Sequence, residues 1–298
     1  MCIRDSLNAM LWLFNFLILP AITYGSTLAL GALGVTLVFG VLRFANFAHG
    51  DIMMFGGFAV LTFSEGLGLG FWPGLFCACI AMGAAGYLID ATIMRRIIGE
   101  SQASIFILTI AFGFILRAAA GMIWGWNPSS LDTPFDTETT FGGVTIGMER
   151  LAIIATTVVL CTALYLFFGR SRLGIAMQAS SQNQLAAYYM GIPVRRVVSL
   201  VWAIAAVVAT IAGAIMAPVT QLETNVGFIG IKALAGAIVG GFGSIPGTLL
   251  GCMLIGVIEP FADYFFPAIK GVSAYIVMLV VLFVRPEGLI TQTYRKKV

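Results

Sequence analysis

The sequence of 298 residues has little charge, since only 10% of its residues are charged whereas 60% are hydrophobic. Soluble domains contain about 25% charged residues and roughly 45–50% apolar residues. A soluble protein of this composition has too little polar surface to cover its apolar bulk, but in a bilayer apolar side chains can face lipid tails. The composition therefore argues against a soluble domain and indicates an integral membrane protein.

Residues suited to catalysis or metal binding are also scarce. His49 is the single histidine, which excludes a multi-histidine metal site. The lysines are Lys232, Lys270, Lys296 and Lys297. None of them follows a glycine, so a Walker A phosphate loop is absent, and the five cysteines include no C-x-x-C pair. We expect no enzyme activity, no metal and no cofactor, and we expect any ATP hydrolysis to belong to a partner chain.

Long stretches of the chain contain no Asp, Glu, Lys or Arg. They are residues 6–42, 66–89, 151–169, 197–222 and 233–258. Each can hold a membrane-spanning helix, which needs about 20 apolar residues. None alternates apolar and polar residues as the strands of a membrane barrel do.

These stretches predict an all-α, polytopic transmembrane helical bundle with about 8–10 membrane segments, some short or broken. It forms a single transmembrane domain over residues 1–298. The predicted helices cover residues 7–22, 24–42, 51–64, 71–94, 104–124, 151–169, 197–218, 228–243, 247–263 and 272–290. Residues 1–6 are left out of the fold, because a charged start before an abrupt apolar run can arise from a start-site artefact.

Charges of opposite sign occupy different loops. Basic residues cluster at Arg95, Arg96, Arg170, Arg172, Arg195, Arg196, Arg295, Lys296 and Lys297. Acidic residues gather at Asp132, Asp136, Glu138 and Glu149. The positive-inside rule places the basic clusters, and with them the C-terminus, in the cytoplasm. The clusters are short and juxtamembrane, so we expect the lipid bilayer and no nucleic acid as a partner.

Two glycine-rich neighbourhoods, residues 25–51 and 232–248, interrupt the apolar pattern. Broken backbone at membrane depth is tolerated only inside protein or beside a water-filled cavity. Short, interrupted segments in both halves of a chain therefore indicate a transport pathway, although small residues also serve plain helix packing. The pathway or gate candidates are Arg43, Asn46, His49, Asp51, Arg117, Lys232, Gly240 and Gly241.

Two of these interpretations have alternatives, and one further pair of acidic residues has an expected role of its own. The polar segment from Arg43 to Asp51 can pin a helix break or be an ordinary juxtamembrane turn. Arg117 lies inside an apolar run, where it can line an aqueous cavity or snorkel to the outer interface. Glu259 and Asp263 lie one helical turn apart near an outer end, and we expect them to form a solvated rim.

The predicted inner loop, residues 170–196, is rich in Ala and Gln and ends at Gly191 and Pro193. This pattern predicts a short cytoplasmic helix. Such a helix can dock on a partner protein or be a plain connector.

Four strings carry a resemblance to a known family. They are Val41–Asp51 (VLRFANFAHGD), Tyr189–Pro193 (YMGIP), Lys232–Gly247 (KALAGAIVGGFGSIPG) and Arg285–Leu289 (RPEGL). Together they resemble the branched-chain amino-acid ABC importer permeases over about residues 17–290. Within that family the chain looks most like the shorter, LIV-I-type permease of a heterodimeric pair.

The resemblance implies a permease for leucine, isoleucine and valine in a bacterial inner membrane. Its implied partners are a second permease, two cytoplasmic ABC ATPases and a periplasmic or lipid-tethered solute-binding protein. Residues 170–196 are then the ATPase-coupling loop. The implied coupling residues are Ala186, Ala187, Gly191, Ile192 and Pro193. Many importers have an acidic residue early in this motif, whereas residues 180–184 here contain none.

Other functions remain open at this point. Relatives in the same family handle urea or short amides. A stand-alone secondary transporter or channel explains the hydrophobicity equally well, but it does not explain the glycine-bracketed inner loop. A membrane-embedded enzyme needs a buried catalytic set that the chain hardly has.

Overall fold

The computed structural model describes residues 14–97, 101–141, 144–269 and 271–290. These residues form eleven α-helices and one small hairpin. Six helical segments are long and apolar enough to cross a membrane. The predicted all-α, polytopic fold is confirmed.

The helices are α1 (Leu19–Leu42), α2 (His49–Leu61), α3 (Phe71–Thr92), α4 (Gln102–Trp124), α5 (Met148–Arg170), α6 (Arg172–Gln182), α7 (Gln184–Tyr189), α8 (Val194–Thr220), α9 (Ile229–Gly240), α10 (Ile245–Phe265) and α11 (Ser273–Val284). Between α4 and α5, strands β1 (Glu138–Phe141) and β2 (Val144–Gly147) pair antiparallel. Short π-helical or 3-10 turns cover Phe14–Ile18, Thr62–Gly66, Met94–Arg96, Thr224–Phe228 and Pro267–Ile269.

Helix α1 and helix α8 form the centre of the bundle. In their apolar spans 83% and 72% of the residues are buried, against 22–28% in the spans of α3, α4 and α5. A central helix can be apolar on every side because protein surrounds it. The outer helices turn apolar side chains to the surrounding bilayer instead.

The predicted break near residue 23 is wrong. Residues 14–42 form one continuous helical segment, with a π-helical turn in front of α1. The small residues of this region serve close packing: Gly25, for example, lies against the backbone of Gly256 in α10. Small residues let membrane helices approach in this way without breaking them. Residues 1–13, which include the start of the predicted helix 7–22, lie outside the described residues.

A long–short–long pattern of helices occurs twice, as α1–α2–α3 and as α8–α9–α10. The two sets exchange packing partners, because α1 packs on α9 and α10 whereas α8 packs on α2 and α3. Each central helix is thus completed by the other half of the chain. The hydroxyls of Thr36 and Thr248, 212 residues apart, share a buried hydrogen bond of 2.7 Å at one such contact.

The short helices α2 and α9 begin at mid-depth. The first turn of α9 touches the middle of α1, where Ala233 packs against Gly31. The first residue of α2, His49, packs against Gly34 of α1, about 12 Å before α1 ends. From there the two helices run in opposite directions. Phe58 near the end of α2 stacks on Trp124, whereas α9 ends beside the start of α10. The predicted short segments are therefore half-helices.

The bundle has a basic end and an acidic end. At the basic end lie Arg43, Arg95, Arg96, Arg170, Arg172, Arg195, Arg196 and Arg285, where α1, α3 and α5 end and α4 and α8 begin. At the acidic end lie Glu65, Asp132, Asp136, Glu138, Glu149 and Glu223. A hydrogen bond of 2.9 Å from the Asp132 N–H to Glu65 Oε1 joins two of the loops there. The charge separation expected from the sequence is present in three dimensions.

Two other predicted segments have different limits. The last helix, α11, ends at Val284, because Pro286 disfavours helix in the residue before it. The following residues turn back, and the N–H groups of Leu289 and Ile290 donate to carbonyls at the end of α9. The inner loop contains two helices, α6 and α7, where one was predicted. The terminal Arg295, Lys296 and Lys297 lie outside the described residues.

Candidate functional site

The starts of α2 and α9 meet at the centre of the molecule. Gly50 of α2 lies directly against Gly230 and the carbonyl of Gly227, and a Cβ added at Gly230 would lie 2.5 Å from the Gly50 Cα. Helix N-termini carry a partial positive charge and unpaired N–H groups. The junction therefore concentrates two positive helix ends at mid-depth, and we refer to residues 50 and 227–230 as the half-helix junction.

A buried ion pair lies beside the half-helix junction. Arg117 of α4 donates to Asp51 Oδ1 from Nη2 at 2.7 Å and from Nε at 3.2 Å. The side chains are only 14% and 8% exposed. The guanidinium also stacks on the Phe228 ring, with 3.9 Å from Cζ to the ring centroid. Arg117 therefore lies inside the bundle, paired with Asp51, and does not snorkel to an interface.

The carboxylate of Asp51 lies at mid-depth. Its Oδ2 packs against Gly113, which is the central residue of α4. Asp51 lies at this depth although it follows the last residue of α1, Leu42, by only nine residues. The reason is that residues 43–48 lead the chain from the end of α1 back to the half-helix junction before α2 begins.

The ion pair opens into a cleft of about 120 Å³ between α4 and α9. The cleft is lined by Phe47, Asp51, Ile110, Phe114, Arg117, Gly227, Phe228 and Ile231. Apart from the ion pair and one glycine, this lining is aromatic or aliphatic. Phe114 and Phe228 are 59% and 48% exposed, so the cleft opens on the side of the bundle.

The polar segment from Arg43 to Asp51 is split between two levels. Arg43 caps α1 at the basic end with a positive φ of 63°, and its N–H donates to the Phe39 carbonyl at 2.9 Å. Asn46 is buried and its Oδ1 accepts from the Ala48 N–H at 3.1 Å. His49 is buried against α1. The segment thus forms an ordered turn that starts α2, and of its polar side chains only that of Asp51 lines the cleft.

Lys232 belongs to a second, partly buried cluster, which does not line the cleft. Its Nζ donates to Glu259 Oε1 at 2.5 Å and to the Tyr24 hydroxyl at 3.3 Å. Tyr24 in turn donates to Glu259 Oε2 at 2.9 Å. The expected solvated rim is therefore wrong for Glu259, because its carboxylate neutralises a lysine near the positive start of α9. This cluster joins α1, α9 and α10.

Gly240 and Gly241 lie at the basic end and away from the cleft. Gly240 packs on the backbone of Gly247 where α10 begins. Gly241 has a φ of 105° and packs on residues 287–290. Both glycines permit a close approach of backbone segments that a side chain would prevent.

The inner loop places its predicted coupling residues on different faces. Ala186 and Gly191 are exposed, Ile192 is half-buried and Pro193 is exposed, whereas Ala187 is buried within the chain. In this loop the most exposed apolar side chains are those of Leu185, Tyr188, Tyr189 and Met190. They were not predicted from the sequence. We call these four residues the apolar tip. A helical spacing of i and i+3 from Leu185 to Tyr188 was the available signal.

A third polar network, also missed from the sequence, lies beneath this loop. Asp90 of α3 is fully buried, and its Oδ2 accepts from the Ser199 hydroxyl at 2.6 Å and from Arg95 Nη2 at 3.3 Å. Arg95 also donates to the Ser199 hydroxyl at 2.6 Å. The network ties the end of α3 to the start of α8, directly after the inner loop.

Ser199→Ala is expected to lower the free energy of unfolding by about 1.5–3 kcal/mol, because it removes a hydrogen bond to a buried carboxylate. Thermal unfolding of the purified protein in detergent checks this. The matched control is Thr92→Ala, which removes an exposed hydroxyl from the last turn of α3 and is expected to change stability by less than about 0.5 kcal/mol. Equal unfolding temperatures for Ser199→Ala and wild type would contradict the stabilising role of the network.

Comparisons with known proteins agree with this architecture. A family model described as "Branched-chain amino acid transport system / permease component" matches residues 17–283. The chain is 32% identical to the high-affinity branched-chain amino acid transport system permease protein BraD of Pseudomonas aeruginosa, over 93% of this chain and 95% of that protein. It is 28% identical to LivH of Escherichia coli K12, with the same coverage.

Two further similarities extend this picture. The permease protein LivM of the same Escherichia coli system is 24% identical, over 88% of this chain and 67% of that protein. A solved structure, PsaBC from Streptococcus pneumoniae in complex with Fab, shares the fold with a TM-score of 0.50. That likeness has 18% identity and covers 90% of this chain and 91% of the other.

Proposed function

Because the chain belongs to the family of branched-chain amino acid transport permease components, we propose that it is the membrane subunit of an ATP-driven importer for leucine, isoleucine and valine. The family is one of transport permeases and not of enzymes. Six long apolar helical segments make the chain a multi-pass membrane protein. The ATPase activity then resides on partner chains.

The apolar tip is the single observation that most supports coupling to an ATPase. Leu185 and Tyr188 are 70% and 67% exposed, and Tyr189 and Met190 are more than 80% exposed. They project from α7 at the basic end, beside a groove of about 900 Å³ that also includes Arg95 and Arg195. Exposed aromatic and Met side chains around a short helix are typical of a protein interface. We assign this surface to one of two cytoplasmic ABC ATPases.

The orientation follows from the two ends of the bundle. Cytoplasmic loops of membrane proteins carry an excess of Arg and Lys, so the basic end faces the cytoplasm of a bacterial inner membrane. Residues 285–290 are held at that end by hydrogen bonds to α9, which supports a cytoplasmic position for the C-terminus. The acidic end then faces outward, where a periplasmic or lipid-tethered solute-binding protein delivers the solute.

A second permease completes the pathway in this proposal. The similarity to both LivH and LivM, two permease proteins of one Escherichia coli system, supports a heterodimer. The side of the bundle with the cleft supports it as well. A charged pair at mid-depth is costly to expose to lipid, so such residues face protein or a water-filled cavity. We therefore place Asp51 and Arg117 on the pathway, between the two permeases.

Transport proceeds by alternating access in this scheme. ATP-driven closure of the ATPases moves α6 and α7, and the Asp90–Ser199–Arg95 network transmits the movement to α3 and α8. Both helices pack on the half-helix α2, so their movement exposes the cleft to one side of the membrane and then to the other. We propose that this gate uses two further elements. One is the turn from Arg43 to His49, as a flexible point, and the other is the close-packed pair Gly240 and Gly241.

Uptake by proteoliposomes tests the proposal. The chain is reconstituted with its neighbouring permease, both ATPases and the binding protein, and labelled leucine is compared with labelled urea. Leucine uptake that requires both ATP and the binding protein is the expected result. Uptake that needs neither, or that follows an ion gradient, would replace the importer with a secondary transporter, and a preference for urea would change the substrate class.

A further inference from the structure

The cleft combines three properties that ordinary helix packing does not require. It holds one carboxylate and one guanidinium side by side at mid-depth. Its remaining walls are mainly aromatic and aliphatic. It is also adjacent to the half-helix junction, where two helix N-termini add positive potential. A purely structural ion pair needs only the first property.

We infer that this cleft is a solute site inside the permease and that it binds an α-amino acid as a zwitterion. The α-ammonium group lies on Asp51 and the α-carboxylate lies on Arg117, while the aliphatic side chain packs on Phe114, Phe228 and Ile231. This inference rests on the proposed transport function and adds the contacts that recognise the solute.

The charged groups retain capacity for a ligand. Both hydrogen bonds from Arg117 go to the same oxygen, Asp51 Oδ1, and they use two of the five N–H donors of the guanidinium. A carboxylate can accept up to about four hydrogen bonds. A zwitterion can therefore bridge the pair by adding an ammonium next to the carboxylate and a carboxylate next to the guanidinium.

The helix ends favour the same orientation of the ligand. Half-helix N-termini at the midplane of transporters attract anionic groups of the solute. Arg117 Nη2 lies close to Gly227 in the turn before α9, so a carboxylate bound to Arg117 lies near that positive helix end. The ammonium group lies farther from it, next to Asp51.

The size and lining of the cleft fit a small aliphatic amino acid. A bound water needs about 10–15 Å³ of cavity volume, so a cleft of about 120 Å³ has room for a solute of roughly ten non-hydrogen atoms. Leucine is of that size. A neutral solute such as urea offers neither an ammonium group to Asp51 nor a carboxylate to Arg117, and it leaves the apolar walls without contact.

Direct binding to the reconstituted complex without its binding protein tests this inference. The two permeases and both ATPases are purified together, and binding of labelled leucine is measured by scintillation proximity. Leucinamide, which lacks the carboxylate, and 4-methylpentanoate, which lacks the ammonium, serve as competitors. Each is expected to compete about 10- to 100-fold less well than leucine, because each loses a hydrogen-bonded charge pair.

Variants provide the second arm of the test. Asp51→Asn and Arg117→Lys are each expected to weaken leucine binding by about 10-fold or more. The matched control is Tyr24→Phe, which removes two hydrogen bonds from the Lys232–Glu259 ion pair and is expected to change leucine affinity by less than about twofold. Variants are compared only where the complex elutes intact.

The outcomes separate the cleft from the transport function. If leucine does not bind without the binding protein, or if the two analogues compete as well as leucine, the zwitterion site is wrong even where ATP-driven leucine uptake is normal. Unchanged leucine affinity in intact Asp51→Asn and Arg117→Lys complexes also overturns it. If the complete wild-type system shows no ATP-driven uptake, the proposed function itself fails. The analogue competition uses wild-type protein, so it gives a result even where both variants fail to assemble.

Discussion

Leu185→Ser combined with Tyr188→Ser is expected to lower ATP-driven leucine uptake by more than about 100-fold while the chain stays folded. Both side chains belong to the apolar tip and are mostly exposed, so their loss leaves the packing of the bundle unchanged. Buried aromatic and aliphatic anchors at protein interfaces contribute about 2 kcal/mol or more each. Two such losses weaken an association by about 100- to 1,000-fold, since 1.4 kcal/mol corresponds to a factor of ten.

The measurement combines uptake with co-purification. The ATPases are expected to separate from the double variant in detergent, and uptake is expected to fall in parallel. The control is Leu67→Ser, which replaces a leucine of similar exposure, 64%, in the loop between α2 and α3 at the acidic end. Wild-type uptake in the double variant, with the ATPases still bound, would show that the ATPases dock elsewhere.

Gly50→Val is expected to prevent the half-helices from meeting and to destabilise the protein by about 3 kcal/mol or more. The first side-chain atom at this position would overlap the carbonyl of Gly227 and lie 2.8 Å from the Gly230 Cα. Both obstacles are backbone, so no side-chain rotation can relieve them. Overpacking of a well-packed core costs about 1–3 kcal/mol and occasionally more, and valine adds two further methyl groups.

Thermal unfolding in detergent and the yield of monodisperse protein measure this effect. Gly169→Ala is the control, because Gly169 lies in α5 with no atom near the position of an added Cβ. Alanine there is expected to be neutral or to stabilise by about 0.5–1 kcal/mol, owing to its higher helix propensity. A Gly50→Val protein with the stability and yield of wild type would show that the two helix starts do not need this contact.

Much of the fold could be predicted because it depends on local composition. Charge-free stretches of about 20 residues identify the crossings, and the clustering of arginine separates the two ends. Segments 51–64 and 228–243 were predicted to be short for a full crossing, and α2 and α9 have only 13 and 12 residues. These features are properties of a segment by itself, so they need no knowledge of the partner against which it packs.

The pairing of charged residues could not be predicted, because it depends on contacts across the chain. Asp51 and Arg117 are 66 residues apart, whereas Lys232 finds Glu259 and Tyr24 on two different helices. Asp51 and Lys232 each lie in the first turn of a half-helix, but they enter separate clusters. The burial of Glu259 and the continuity of α1 were missed for the same reason. Both depend on how closely neighbouring helices approach.

The exchange of packing partners between the two halves has a consequence for biosynthesis. Helix α1 leaves the ribosome early, but α10, on which it packs, follows more than 200 residues later. At about 5–20 residues per second, α1 waits roughly 10–40 s for that surface, with the Thr36 hydroxyl still lacking its partner on Thr248. During this interval the insertion machinery or a chaperone has to shield a helix that is meant for the centre of the protein. Ribosome stalling between α3 and α8 is therefore expected to be more harmful than stalling after α10.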